Sequence, residues 1–149
     1  MVLGQRGRAL GKEASSFLVV GAVALAVDVG LFNALVHLGE GGGVLVEHPL
    51  TAKVVSVTAS TTVAFVGNRF WTYRDRPRGG VAREYLLFVV LSAIALGIAL
   101  GCLAFSRYVL DLSSALADNV AANVVGLGLG TVFRFVSYRQ FVFPESPRD

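Results

Sequence analysis

The sequence predicts an all-α integral membrane protein. Four transmembrane helices are arranged as two parallel two-helix repeats, with both ends of the chain in the cytoplasm. Three observations carry this: four long apolar runs, a register of 70 residues relating the two halves, and basic residues gathered on alternate connections. The chain has 149 residues, 54% hydrophobic and only 15% charged, with a mean hydropathy of +0.67. Such a composition does not supply the polar exterior of a soluble domain, nor the low hydrophobicity of a disordered chain. The length suits one domain. One cysteine, Cys102, excludes an internal disulfide, and a Cys-based zinc site needs more thiolates.

A helix needs about 20 mostly apolar residues to cross about 30 Å of hydrocarbon. The first run covers about 17–38 and holds one charge, Asp28. The second covers about 50–71, with Lys53 near its start and Arg69 near its end. The third, about 85–106, is free of charge, and the fourth runs from about 116 to 136 or slightly beyond, with Asp118 at its start and Arg134 near its end. None shows the polar–apolar alternation of a barrel strand. Residues 1–16 form a basic cytoplasmic segment (Arg6, Arg8, Lys12), expected to lie on the membrane surface or to lack fixed structure. Residues 17–143 form the membrane domain and 144–149 a cytoplasmic tail. The basic start and Ala24-Leu25-Ala26 suggest a cleaved leader, but the apolar run continues too far for its short hydrophobic region. Turns are expected at Gly39-Glu40-Gly41-Gly42-Gly43, Arg76-Pro77-Arg78-Gly79-Gly80 and Asp111-Leu112-Ser113-Ser114.

Lys and Arg concentrate in cytoplasmic connections. Placing the N-terminus, middle loop and C-terminus on one side puts eleven of the thirteen basic residues there: Arg6, Arg8, Lys12, Arg69, Arg74, Arg76, Arg78, Arg83, Arg134, Arg139 and Arg148. Lys53 and Arg107 remain on the other side. The basic residues sit beside membrane spans, so no nucleic-acid partner is expected.

A shift of 70 residues aligns the halves. Ala52-Lys53-Val54-Val55 falls on Ala122-Asn123-Val124-Val125, and Arg69-Phe70-Trp71-Thr72-Tyr73 on Arg139-Gln140-Phe141-Val142-Phe143. Pro77-Arg78 falls on Pro147-Arg148. Each half has two spans, so both insert in the same sense. Transporters often place their substrate between such repeats; the alternative is a duplicated hairpin that only makes a stable bundle.

Asp28 is expected near mid-membrane, where an ionised carboxylate costs about 2.5–3.5 kcal/mol or more and needs a partner or a proton. Arg69 and Arg139 are repeat-equivalent, and Arg134 lies just over one turn before Arg139. Guanidinium groups grip phosphate through paired hydrogen bonds, and Asn68 adds hydrogen-bonding capacity. Lys53, near the outer surface, suits a second phosphate contact; the alternative for all these cations is snorkelling and topological anchoring. Arg74, Arg76 and Arg78 are read as such anchors. Thr58 and Thr62 share one face of span two, as a polar path or as interhelical hydrogen bonds. Gly97–Gly101 and Gly126–Gly130 have the spacing of close helix packing, in the bundle or in a dimer.

No HExxH, P-loop or Ser-His-Asp set is present, so no catalytic residue, metal or cofactor is assigned and the chain is not read as an enzyme. The loops leave no room for a nucleotide-sugar domain.

Phe17-Leu18-Val19-Val20-Gly21 opens span one, Asp28 lies within it, Asn68-Arg69-Phe70-Trp71-Thr72-Tyr73 closes span two and Tyr138-Arg139-Gln140-Phe141-Val142-Phe143 closes span four. With them the chain resembles the GtrA-like (GtrA/DPMS-like) family of small four-span bacterial membrane proteins, over nearly its whole length. The resemblance implies a protein of the bacterial cytoplasmic membrane. It implies a role in cell-surface polysaccharide synthesis: translocating (flipping) a polyprenyl-phosphate-linked sugar beside a separate glycosyltransferase. The site residues it implies are Asp28, Asn68, Arg69 and Arg139. The chain departs from the family's usual pattern at Tyr73, where Phe is common, and at Phe133-Arg134-Phe135, where the second half more often carries Asn. A homodimer is expected, since four helices make a thin wall for a headgroup. Two other functions fit the residues: a non-transporting scaffold that recruits or stabilises a glycosyltransferase, and a small proton-coupled multidrug exporter.

Overall fold

The computed structural model describes residues 2–146. Among them are four long helices and no strand: α1 (Val2–His37), α2 (Pro49–Thr72), α3 (Val81–Val109) and α4 (Ala115–Val142). All four are long and apolar enough to cross a membrane. The helices divide into two compact units, residues 1–75 and 76–149. Each is a helical hairpin, so the unit boundary falls where the repeat register places it. The Pro147-Arg148 end of that register lies outside the described residues.

The first unit pairs α1 with α2. Asp28 meets Lys53, and Val20 faces Gly67, so the helices run antiparallel. A Cβ on Gly67 would lie 2.7 Å from Val20 Cγ1, which is why only glycine permits this approach. Pro49 opens α2 in its first turn, where a missing N–H costs nothing. The connection folds back on the end of α1. Gly43 N–H donates to the Val36 carbonyl at 3.0 Å and Leu45 N–H to the Leu35 carbonyl at 2.8 Å, satisfying carbonyls left open at the helix end.

The second unit pairs α3 with α4, again antiparallel. Arg107 meets Asp118 at 2.8 Å, Gly126 lies on Ala99 and Gly130 on Ala95, and the Tyr138 hydroxyl bonds to Ser92. The Gly126–Gly130 pair is thus a packing surface inside this unit. Gly97 and Gly101 face open space. The turn expected at 111–114 is present: Asp111 has φ +54° and Ser114 caps α4, its Oγ accepting from Ala117 N–H.

One expectation needs correction. Residues 2–16 continue α1 as helix rather than lacking structure. A helix already nucleated by the apolar run propagates through good helix formers such as Ala9, Leu10, Lys12, Glu13 and Ala14, and tolerates Gly4, Gly7 and Gly11 at about 1 kcal/mol each. At about 54 Å, α1 is longer than the hydrocarbon is thick.

Only 11–24% of the residues in the apolar windows of the four spans are buried. Leu18, Leu25, Leu86, Leu100 and Leu116 all point outward. Faces of that kind need lipid or another apolar partner.

Three helix ends share an unusual device. Tyr73 N–H donates to the Asn68 carbonyl and Phe143 N–H to the Tyr138 carbonyl, both at 2.8 Å, and Leu110 N–H reaches Phe105. These five-residue spacings close π turns. The first two, Asn68–Thr72 and Tyr138–Val142, lie 70 residues apart, so the repeat is present in the backbone.

Candidate functional site

In the first unit, α1 and α2 form a polar cluster near their connection. Lys53 Nζ donates to Asp28 Oδ2 and Ser56 Oγ to Asp28 Oδ1, both at 2.7 Å. Lys53 also lies over the Phe32 ring, 5.5 Å from its centroid. Asp28 is nine residues from the end of α1, or about 14 Å. It and Lys53, two separate candidates in the sequence, are therefore one ion pair. Ser56, fully buried, was not singled out as its partner. In the second unit the corresponding residues are Ile98, Asn123 and Gly126, which hold no charge. There Gly126 packs on Ala99 and Asn123 bonds to Asn119.

The hydroxyls of Thr58 and Thr62 donate to the Val54 and Thr58 carbonyls of their own helix. Back-bonding of this kind is common for Ser and Thr inside helices.

Arg69 sits sixteen residues beyond Lys53 on α2, roughly 24 Å along the axis, so Asp28 belongs to a different cluster from Asn68 and Arg69. The π turn buries Asn68, Arg69 and Thr72 together. Arg69 lies against the Phe65 and Phe70 rings, at 6.0 and 5.8 Å from their centroids. Asn68 Nδ2 donates to the Ala64 carbonyl. Its Oδ1 and the Thr72 hydroxyl are buried with no hydrogen-bond partner among the described residues. A buried acceptor left open costs about 1–3 kcal/mol, and such atoms mark places where a ligand's hydroxyl would be welcome.

In the second unit Tyr138 takes the place of Asn68. It stacks on Phe88 with centroids 4.3 Å apart and bonds to Ser92, fixing the π turn that presents Arg139. Arg139 Nη2 donates to Glu145 Oε1 at 2.7 Å. Arg76 reaches the same oxygen at 3.2 Å, and its Nη1 donates to the carbonyls of Phe143 at 2.9 Å and Arg139 at 3.1 Å. Arg76, Arg139, Gln140, Pro144 and Glu145 line a cavity of about 280 Å³. Arg134, one turn deeper, has a buried Nε without a hydrogen-bond partner among the described residues.

Arg76 is thus no free topological anchor. Its side chain is 6% exposed and caps the last helix, where unpaired carbonyls and the helix dipole favour a cation. No local pattern in the basic loop distinguishes it from Arg74 or Arg78. Glu145 was equally illegible, although it occupies the repeat position of Asp75.

Two related hairpins of membrane-crossing helices, each ending in a π turn that carries an arginine, define a multi-pass helical membrane protein built by duplication. The sequence model described as GtrA/DPMS, transmembrane domain, matches residues 16–143. The chain belongs to this family, and membership suggests a part in handling lipid-linked sugars.

Proposed function

We propose that this protein translocates a polyprenyl-phosphate-linked sugar across the bacterial cytoplasmic membrane for cell-surface polysaccharide synthesis, beside a separate glycosyltransferase and with both termini in the cytoplasm. One observation carries the reading: the repeat-related π turns at the ends of α2 and α4 each hold an arginine, Arg69 and Arg139, among polar groups suited to a phosphosugar. A phosphosugar leaving water for hydrocarbon needs cationic and hydrogen-bonding replacements for its hydration. Asn68 Oδ1 and the Thr72 hydroxyl, buried without a hydrogen-bond partner among the described residues, add hydrogen-bonding capacity beside Arg69. The prenyl tail stays in lipid against the outward apolar faces. Proton-coupled export of cations is less well supported, because Asp28, the acidic residue of span one, is already held by Lys53 and Ser56.

The test is sidedness in proteoliposomes. Labelled polyprenyl-phosphate-sugar starts on one leaflet, and a membrane-impermeant reagent reads its appearance on the other. Protein-dependent crossing is expected, with a loss of about tenfold or more in rate for Arg69→Ala and Arg139→Ala, in line with charge-assisted phosphate contacts. Absence of crossing by folded protein with several prenyl-phosphate sugars would overturn transport and favour the scaffold. Full crossing by both variants would remove the arginines from the path.

A further inference from the structure

The second unit places a carboxylate where an anionic ligand would sit. Arg76 cannot easily leave its position, because the backbone of α4's end holds it through two carbonyls. Its Nη2 therefore stays aimed at the same point as Arg139 Nη2. The atom at that point is Glu145 Oε1, accepting from both guanidinium groups. An oxygen bound by two guanidiniums is the arrangement that recognises phosphate. Glu145 is the removable member: it follows Pro144 beyond the last helix, and its side chain is 55% exposed.

We propose that Arg76, Arg139 and Gln140 form a phosphate-binding site, and that the Glu145 carboxylate is its built-in competitor, displaced when a phosphate enters. The inference deepens the transport reading, on which it rests for the source of the phosphate but not for the pocket. With Glu145 in place, its Oε1 accepts from the Nη2 of both arginines. With Glu145 swung out, both charges face the ligand, and the cavity of about 280 Å³ is several times the roughly 30 Å³ that one water takes up in the liquid. Gln140, on the rim, offers its amide to an ester oxygen or a sugar hydroxyl. In the first unit the corresponding carboxylate, Asp75, is instead 88% exposed and lies 3.7 Å from Arg74 Nε. The competitor thus belongs to one half of the repeat, so the two halves would release phosphate differently.

The experiment is calorimetric titration of the full chain in detergent with inorganic phosphate at fixed ionic strength. If Glu145 leaves the site open about one tenth of the time, Glu145→Gln binds about tenfold more tightly than the natural protein. Arg139→Gln in the Glu145→Gln background abolishes that binding. Should Glu145→Gln fail to fold, Glu145→Asp, one methylene too short to serve both guanidiniums, replaces it with the same expected direction. Unchanged or weaker phosphate binding in the folded Glu145 variant, or binding that survives loss of Arg139, overturns the proposal. Competition by polyprenyl phosphate in mixed micelles identifies a lipid headgroup as the source. Phosphate binding that the lipid does not compete for supports the pocket while counting against lipid transport.

Discussion

Lys53 and Asp28 show how one contact changes the reading of two residues. A lone carboxylate in a span suggests a proton or a ligand; a carboxylate accepting from Lys53 and Ser56 is already neutralised within its hairpin. Lys53→Met should lower stability by about 1–3 kcal/mol by leaving that charge unmatched. Adding Asp28→Asn should restore most of the loss, since removing both partners is cheaper than removing one. Thermal unfolding in detergent measures both, and an unaltered melting temperature for Lys53→Met would sink the pairing as a stabilising contact. Arg76 offers a second test at this scale. Arg76→Gln should expose the amides around residues 139–143 to faster hydrogen exchange, by about tenfold, from the loss of roughly 1–2 kcal/mol of capping. Arg76→Lys, a cation without the fork, should fall between. Neither residue's partner was legible in sequence, because both contacts join positions far apart in the chain.

The helices differ in what their glycines do, although the sequence spacing is the same. A Cβ on Gly126 would stand 2.8 Å from Ala99 Cα, whereas Gly97 and Gly101 have open space around them. Gly126→Ala should therefore force α3 and α4 apart at a cost of about 1–3 kcal/mol. Gly97→Ala should be neutral or stabilising by up to about 1 kcal/mol, through helix propensity alone. Equal effects in a melting experiment would contradict the packing described for the second unit. The π turns have no signature in residue type. Their register of 70 residues was legible in Arg69 and Arg139, but the widening of the last turn depends on backbone bonds that no residue type specifies.

For the whole molecule the strongest expectation concerns sidedness. With Cys102 replaced by Ser, a cysteine at Asp75 should be shielded from an impermeant maleimide applied to intact cells, and one at Glu40 should label. Both positions are exposed on their own units. The reverse pattern would invert the proposed topology and place the arginine-bearing π turns outside. Four runs of adequate length sufficed to foresee four helices, because in hydrocarbon every backbone N–H and C=O must be satisfied within its own segment.

The number of spans, the duplication, the family and the arginines at matching helix ends are all legible in the chain. Those properties are written in local hydrophobicity and in a linear register. That Asp28 belongs to Lys53, that Arg76 rather than Arg74 or Arg78 is buried, and that Glu145 lies between two guanidiniums emerges from the packing of the helices. The physical reason is reach: long charged side chains choose among several partners, and packing settles which one lies within hydrogen-bond distance.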